Sequence, residues 1–305
     1  MIRAAIDIGT NSVLLLVADV ANGRVEVLDE QFAVPRLGEG VDREGKLSEA
    51  SMERVVQVVE RYSAHLKKKW PGLSLPPIVT ATSAVRDAGN RDTFMEMVRQ
   101  RTGLEITLLS GEEEAQATFI GALSVIDSSH DTVQTIIDIG GGSTEYATGT
   151  SERLGHAFSV DMGSVRFSER YLSVLPPDEK TLNTARLAIR NELKAQSWPR
   201  FTADRLVGVA GTVTSLAAIA LGLTRYEPEA LNGYRLSLEA IQAFIGKCAS
   251  MSSAEIEETW PLWMENRGDV ILGGLLILDE SIQMLGHDAI TVSTGGIRHG
   301  ILLMA

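Results

Sequence analysis

The chain of 305 residues has a single cysteine, Cys248. No internal disulfide can form and a cysteine-built metal centre is excluded, which fits a reducing compartment. Long apolar runs are missing too, since nothing approaches the roughly 18 consecutive apolar residues of a membrane span. The opening Met1-Ile2-Arg3-Ala4-Ala5-Ile6-Asp7 meets an acid too early for a secretory signal. A cytoplasmic protein with no membrane partner is expected. Positive charge is scarce. Against 40 Asp and Glu stand 28 Lys and Arg, a formal net charge of −12, so the long-range field repels nucleic acid and other polyanions. Any polyanion must be held by local devices: backbone amides, a few arginines and a metal ion. The run Lys67-Lys68-Lys69 ends a predicted helix, where it suits the dipole and reads as a solvated face. Low-complexity segments and a long linker are also absent. With 44% apolar and 22% charged residues, the length suits one large or two medium globular domains.

What is present is organised around Ile136-Ile137-Asp138-Ile139-Gly140-Gly141-Gly142-Ser143-Thr144-Glu145-Tyr146. The β-branched run predicts a buried strand, and the glycines allow a sharp turn with exposed N–H groups. Successive amides of that kind form an anion-binding concavity. An acid at the strand end suits a metal ion whose other ligands are water and phosphate oxygens. Taken alone, the segment also reads as an acidic hairpin turn. It has a counterpart, however, in Ala5-Ile6-Asp7-Ile8-Gly9-Thr10-Asn11-Ser12, with Asp7 and Asp138 separated by 131 positions (138 − 7). Repetition at domain spacing points to an internal duplication. Two such loops facing one another would clamp one phosphate chain.

In chain order, strands are predicted at 13–20 and 25–33, then a loose loop marked by Gly38, Gly40 and Gly45. Ser48 starts a helix with Met52, Val55, Val56, Val59, Tyr62 and Leu66 on one face. A strand at 78–82 runs into Ser83-Ala84-Val85-Arg86-Asp87, a helix at 92–101 stops at Gly103, and 105–109 returns as a strand. Ser110 with Glu113 makes a capping box for a helix to about 126, with Glu112, Glu113 and Glu114 in its first turn. Such acids are ordinary for dipole reasons alone. Strands at 133–139, 145–148 and 156–162 and helices at 165–171 and 178–197 follow. Two further strand–loop–helix junctions come at Leu206 to Thr214 and at Ala289 to Arg298. The rhythm is α/β.

Together the two Asp–Gly hairpins, the Ala210-Gly211-Thr212 turn and the terminal Gly295-Gly296 helix resemble the actin and sugar-kinase fold. In that fold two ribonuclease H-like lobes close on phosphates and a divalent metal, with the phosphate-binding cleft between them. The wording of Asp7–Ser12, Thr82-Ser83-Ala84-Val85-Arg86, Ser110–Ala115, Asp138–Glu145 and Gly211-Thr212 is similar to the exopolyphosphatase / guanosine pentaphosphate phosphatase family, in order and over nearly the whole chain. The resemblance implies a first lobe of 1–124 plus a terminal helix 296–305 and a second lobe of 125–295. It implies Glu114 as catalytic base, Glu145 near the metal or attacking water, and Asp138 with Asp7 as metal-contacting acids for Mg²⁺ or another divalent cation. Phosphate would be bound by Gly9, Thr10, Asn11, Ser12, Gly140, Gly141, Gly142 and Ser143, with Ser83, Arg86, Gly211 and Thr212 lining the cleft. The sequence departs from the long members of the family in ending at Ala305, without their extra helical domains, which leaves processive handling of very long polyphosphate open.

Hydrolysis of a terminal phosphoanhydride needs an in-line water, charge neutralisation and positioning. The expected substrate is inorganic polyphosphate, with guanosine pentaphosphate as the alternative. No nucleic-acid partner is expected, and homodimerisation is left open. A nucleotide sensor or kinase of the same fold would need a second-substrate site, which the sequence does not reveal. A non-catalytic polyphosphate binder would leave the acids Glu114, Asp138 and Glu145 without a purpose. Asp7 and Asp138 are expected to face one another across the cleft.

Overall fold

In the computed structural model, which describes residues 1–73, 75–199 and 203–305, the chain opens with an antiparallel meander. Its strands are β1 (Ile2–Ile8), β2 (Val13–Ala21) and β3 (Arg24–Ala33). Helices α1 (Val41–Glu44) and α2 (Glu49–Lys69) follow. The expected loose loop therefore holds a turn of helix, bounded by Gly40 and Gly45 in the left-handed region that glycine adopts without a Cβ penalty. Ser48 caps α2 by accepting from the Ser51 N–H, and the predicted apolar face is buried, with Tyr62 donating to the Val13 carbonyl. Lys67 and Lys68 are exposed, while Lys69 joins His65 and Trp70 around the Asp29 carboxylate of β3.

Strand β4 (Ile78–Ala81) stops before Thr82, and α3 (Ser83–Asp87) begins at once. Then come α4 (Arg91–Thr102), closed by left-handed Gly103, β5 (Ile106–Leu108) and α5 (Gly111–Leu123). Helix α5 ends three residues earlier than the apolar pattern suggested, with Ser124 turning back to the Gly121 carbonyl. The sheet order is β3-β2-β1-β4-β5, with β4 parallel to both β1 and β5.

The same plan recurs after Val125. Strands β6 (Gln134–Ile139), β7 (Thr144–Gly149) and β8 (Leu154–Val160) form a second meander. They are followed by α6 (Ser164–Tyr171), α7 (Glu179–Lys194), β9 (Arg205–Val209) and α8 (Ala210–Ala220). Next are α9 (Pro228–Leu231), β10 (Arg235–Ser237), α10 (Leu238–Cys248), α11 (Ser253–Thr259), α12 (Pro261–Met264), α13 (Ile271–Met284) and β11 (Ala289–Val292). The sheet order is β10-β11-β9-β6-β7-β8. With β10 set aside, this is the first sheet's order again: a three-strand meander, then two parallel strands.

The sequence reading assigned no element between about 215 and 288. The reason is visible in α13, where every residue from Ile271 to Ile282 is buried, so no polar stripe marks a period. Its Asp279 and Glu280 are paired with Arg186 and Arg190 of α7, as buried acids must be. Finally α14 (Ile297–Met304) returns to the first sheet and crosses α5 at glycines. A Cβ on Gly300 would fall 1.8 Å from the Ala117 carbonyl oxygen, and one on Gly121 would fall 1.9 Å from that of Gly296. Arg298 secures the crossing by donating to the Leu15 carbonyl and pairing with Glu30. The chain thus divides into Met1–Ser124 with Gly295–Ala305, and Val125–Thr294, each with its own apolar core. No described helix is long and apolar enough to cross a membrane.

Candidate active site

The two glycine hairpins are built alike. Gly9 N–H donates to the Ser12 carbonyl at 2.9 Å, and Gly140 N–H donates to the Ser143 carbonyl at 3.0 Å. Each turn follows a strand whose last residue but one is an acid, Asp7 on β1 and Asp138 on β6. In the first unit, residues 36–38 support the turn. Arg36 N–H donates to the Asn11 carbonyl and Gly38 N–H to that of Thr10, and a Cβ on Gly38 would lie 2.2 Å from the Thr10 methyl. The Asn11 Oδ1 is buried without a hydrogen-bond partner among the described residues. Asp7 is 8% exposed and accepts from Thr80 Oγ1, its neighbour in the register with β4, at 3.2 Å.

The parallel strand ends bring α3 and α5 beside this turn, because β4 lies next to β1 and Leu109 N–H donates to the Ala81 carbonyl. The three acids that open α5 then separate by role. Glu113 closes the capping box with Ser110, and the Ser110 backbone N–H holds its carboxyl below the usual range. Glu112 is exposed. Glu114 is turned inward, 8% exposed, with Oε2 3.2 Å from Arg86 Nη1, which also donates to the Leu109 carbonyl at 2.9 Å. Ser83 is buried at the start of α3, with its hydroxyl 3.4 Å from Asp87.

In the second unit, Asp138 of β6, Glu145 of β7 and Ser159 of β8 stand directly opposite one another across the sheet. Glu145 is 1% exposed, and Ser159 Oγ donates to its Oε1 at 2.6 Å. The corresponding row of the first unit is Asp7, Leu14 and Phe32, so the duplication preserved the strand-end acid and not its neighbours. Two like charges directly opposed on adjacent strands repel one another. A cation relieves that repulsion. Among the described residues, no group of three or more His, Cys, Asp and Glu could hold a metal by itself. A two-carboxylate donor set fits Mg²⁺, which keeps waters and takes substrate phosphates as ligands.

Sequence reasoning missed what shapes this second turn. The backbone of Gly163 lies against the glycine loop, and the first amides of α6 are spent on it. Ser164 N–H donates to the Gly140 carbonyl at 2.9 Å and Val165 N–H to that of Gly141 at 2.8 Å. Beyond β9, Ala210 opens α8 with a positive φ of 63°, uncommon for a residue with a Cβ, and Gly211 and Thr212 follow it in the first turn. Thr212 is buried against Gly274 of α13, whose missing side chain makes room for it. A second missed residue, Arg267, lays its guanidinium over Gly211, where a Cβ would meet Nη2 at 2.6 Å. It donates to Ser215 Oγ and meets no carboxylate among the described residues, and burial pulls its pKa down to about 10. An isolated Arg in an unpatterned stretch gave no signal.

Comparison with known proteins decides the family. The description of the Ppx/GppA phosphatase family matches residues 16–305. The chain belongs to the Ppx/GppA phosphatases. Exopolyphosphatase 2 of Mycobacterium tuberculosis is 34% identical, over 98% of this chain and 97% of that protein. The crystal structure of an Aquifex aeolicus family member is 27% identical, with a TM-score of 0.82 over 100% of this chain and 97% of its own. An exopolyphosphatase-like protein of known structure is 29% identical, with a TM-score of 0.89 over 99% of this chain and 98% of that one. The family resemblance and the actin-like α/β fold read from the motifs are therefore borne out. This Ppx/GppA phosphatase is an enzyme, a phosphoanhydride hydrolase.

Proposed function

We propose that the enzyme is an Mg²⁺-dependent, cytoplasmic exopolyphosphatase that releases orthophosphate from the ends of inorganic polyphosphate. The observation that carries this reading is the separation of the three acids opening α5. One caps the helix, one is solvated, and Glu114 alone is turned inward beside Arg86. A relative similar over nearly its whole length bears the name exopolyphosphatase.

In this account the amides and hydroxyls of Gly9–Ser12 and Gly140–Ser143 bind phosphate oxygens of the chain end. Arg86, Ser83, Gly211 and Thr212 bind further oxygens, and Arg267 adds a cation that no acid among the described residues pairs with. Glu114 orients the attacking water and takes its proton as the new P–O bond forms, and the shortened polyphosphate departs with the electron pair of the broken anhydride. General-base assistance of this kind is worth roughly 10²–10⁴-fold. Asp138 and Glu145, with Asp7 from the first unit, are the acids assigned to the cation. When bound, Mg²⁺ supplies charge neutralisation on the non-bridging oxygens.

The test is a substrate panel of short and long polyphosphate, guanosine pentaphosphate and ATP, assayed with Mg²⁺ and with EDTA. Mg²⁺-dependent phosphate release with the highest kcat/KM on polyphosphate is expected. A strong preference for guanosine pentaphosphate would overturn the substrate, and transfer of phosphate to an acceptor without hydrolysis would overturn the reaction.

A further inference from the structure

Ser159 lies at the end of the row Asp138–Glu145–Ser159, on the edge strand of its sheet, and belongs to none of the glycine-loop motifs. A hydroxyl can donate or accept, and here Ser159 Oγ donates to Glu145 Oε1 at 2.6 Å. Hydrogen bonds to a charged acceptor are the strong ones, roughly twice a neutral pair. The arrangement is also demanding. Glu145 is 1% exposed and opposes the Asp138 carboxylate directly, so its side chain sits where charge repulsion would tend to turn it away. Ser159 is anchored by the β7–β8 ladder and so offers its donor at a fixed point.

We infer that Ser159 is a positioning residue for hydrolysis: it fixes Glu145 Oε1, holding the carboxylate in line with Asp138 so that the pair is preorganised for a divalent cation and the reacting phosphate. The inference rests on the exopolyphosphatase reading for its kinetic consequence only, since the hydrogen bond and the row belong to the fold. The first unit has no serine at this place in the row, where the matching position is Phe32 opposite Leu14. Partners that orient a metal-contacting carboxylate from behind typically change metal affinity or activity by about 10–100-fold.

The experiment compares wild type, Ser159→Ala and Ser159→Thr in three readouts: thermal melting, Mn²⁺ binding by calorimetry, and kcat and KM for polyphosphate. Ser159→Ala should weaken Mn²⁺ binding by about tenfold or more and lower kcat by a similar factor, with KM changed less than about threefold. Ser159→Thr keeps the hydroxyl and should restore both. A merely structural serine would lower the melting temperature without a kcat-specific loss and without rescue by threonine. Unchanged Mn²⁺ affinity in Ser159→Ala overturns the inference whether or not the wild type hydrolyses polyphosphate. If the wild type released no phosphate while Mn²⁺ binding followed the hydroxyl, the functional reading would fall and the positioning role would stand.

Discussion

Gly163 lies so close to the glycine loop that a β-carbon on it would fall 2.4 Å from the Gly141 carbonyl carbon and 2.5 Å from the Gly142 nitrogen. Both contacts are with backbone, so no side chain can swing aside. The loop owes its shape to this approach and to the α6 amides that donate to the Gly140 and Gly141 carbonyls. Gly163→Ala should therefore cost about 1–3 kcal/mol of stability from overpacking and lower kcat/KM for polyphosphate at least tenfold. Chemical denaturation and steady-state kinetics check both. A variant of wild-type stability and activity would show that the loop is not held from behind.

Gly211 and Arg267 make a softer contact, because the clash would be with the end of a flexible side chain. Gly211→Ala should push the guanidinium aside, leave the melting temperature within a few degrees of wild type, and raise KM for polyphosphate about tenfold. Arg267→Gln should do the same, and the double variant should be no worse than either single one, since both remove one interaction. Strict additivity of two losses in the double variant would contradict a shared cause.

His299 on α14 supplies a pH signature. It is 3% exposed, and its Nδ1 is buried with no hydrogen-bond partner among the described residues. Burial, and secondarily the Arg298 charge, push its pKa from 6.5 down to about 3. The unfolded chain takes up a proton below 6.5 while the folded one stays neutral. The contribution of this group is therefore complete above pH 6.5 and is lost as pH falls from 6.5 towards about 3, by up to about 1.4 kcal/mol per pH unit. His299→Leu should flatten the fall in melting temperature across that window relative to wild type. Parallel pH profiles for the two proteins would contradict the assignment.

Much of this was legible in advance because local rules and tertiary demands agreed. The two Asp–Gly turns, the capping box at Ser110 and the α2 face each carry their own spacing, and the structure forms all three. Which of Glu112, Glu113 and Glu114 turns inward was not legible from spacing. It depends on Arg86, 28 positions away, reaching over from α3. Helix α13 escaped notice because complete burial erases amphipathic contrast. Gly163, Arg267 and Ser159 escaped because their partners lie across the sheet or in distant segments, and a lone Gly, Arg or Ser has no period to read.

Glu114 is the group on which the proposed hydrolysis depends most directly. Phosphate release from polyphosphate, with Mg²⁺ and with EDTA, should be measured for wild type and Glu114→Ala beside equilibrium binding of the same polyphosphate. The predicted result is EDTA-sensitive release by the wild type and a loss of about 10²–10⁴-fold in kcat in the variant, with polyphosphate binding within a few-fold of wild type. Turnover by Glu114→Ala at the wild-type rate would contradict the assignment of the base, and with it the mechanism.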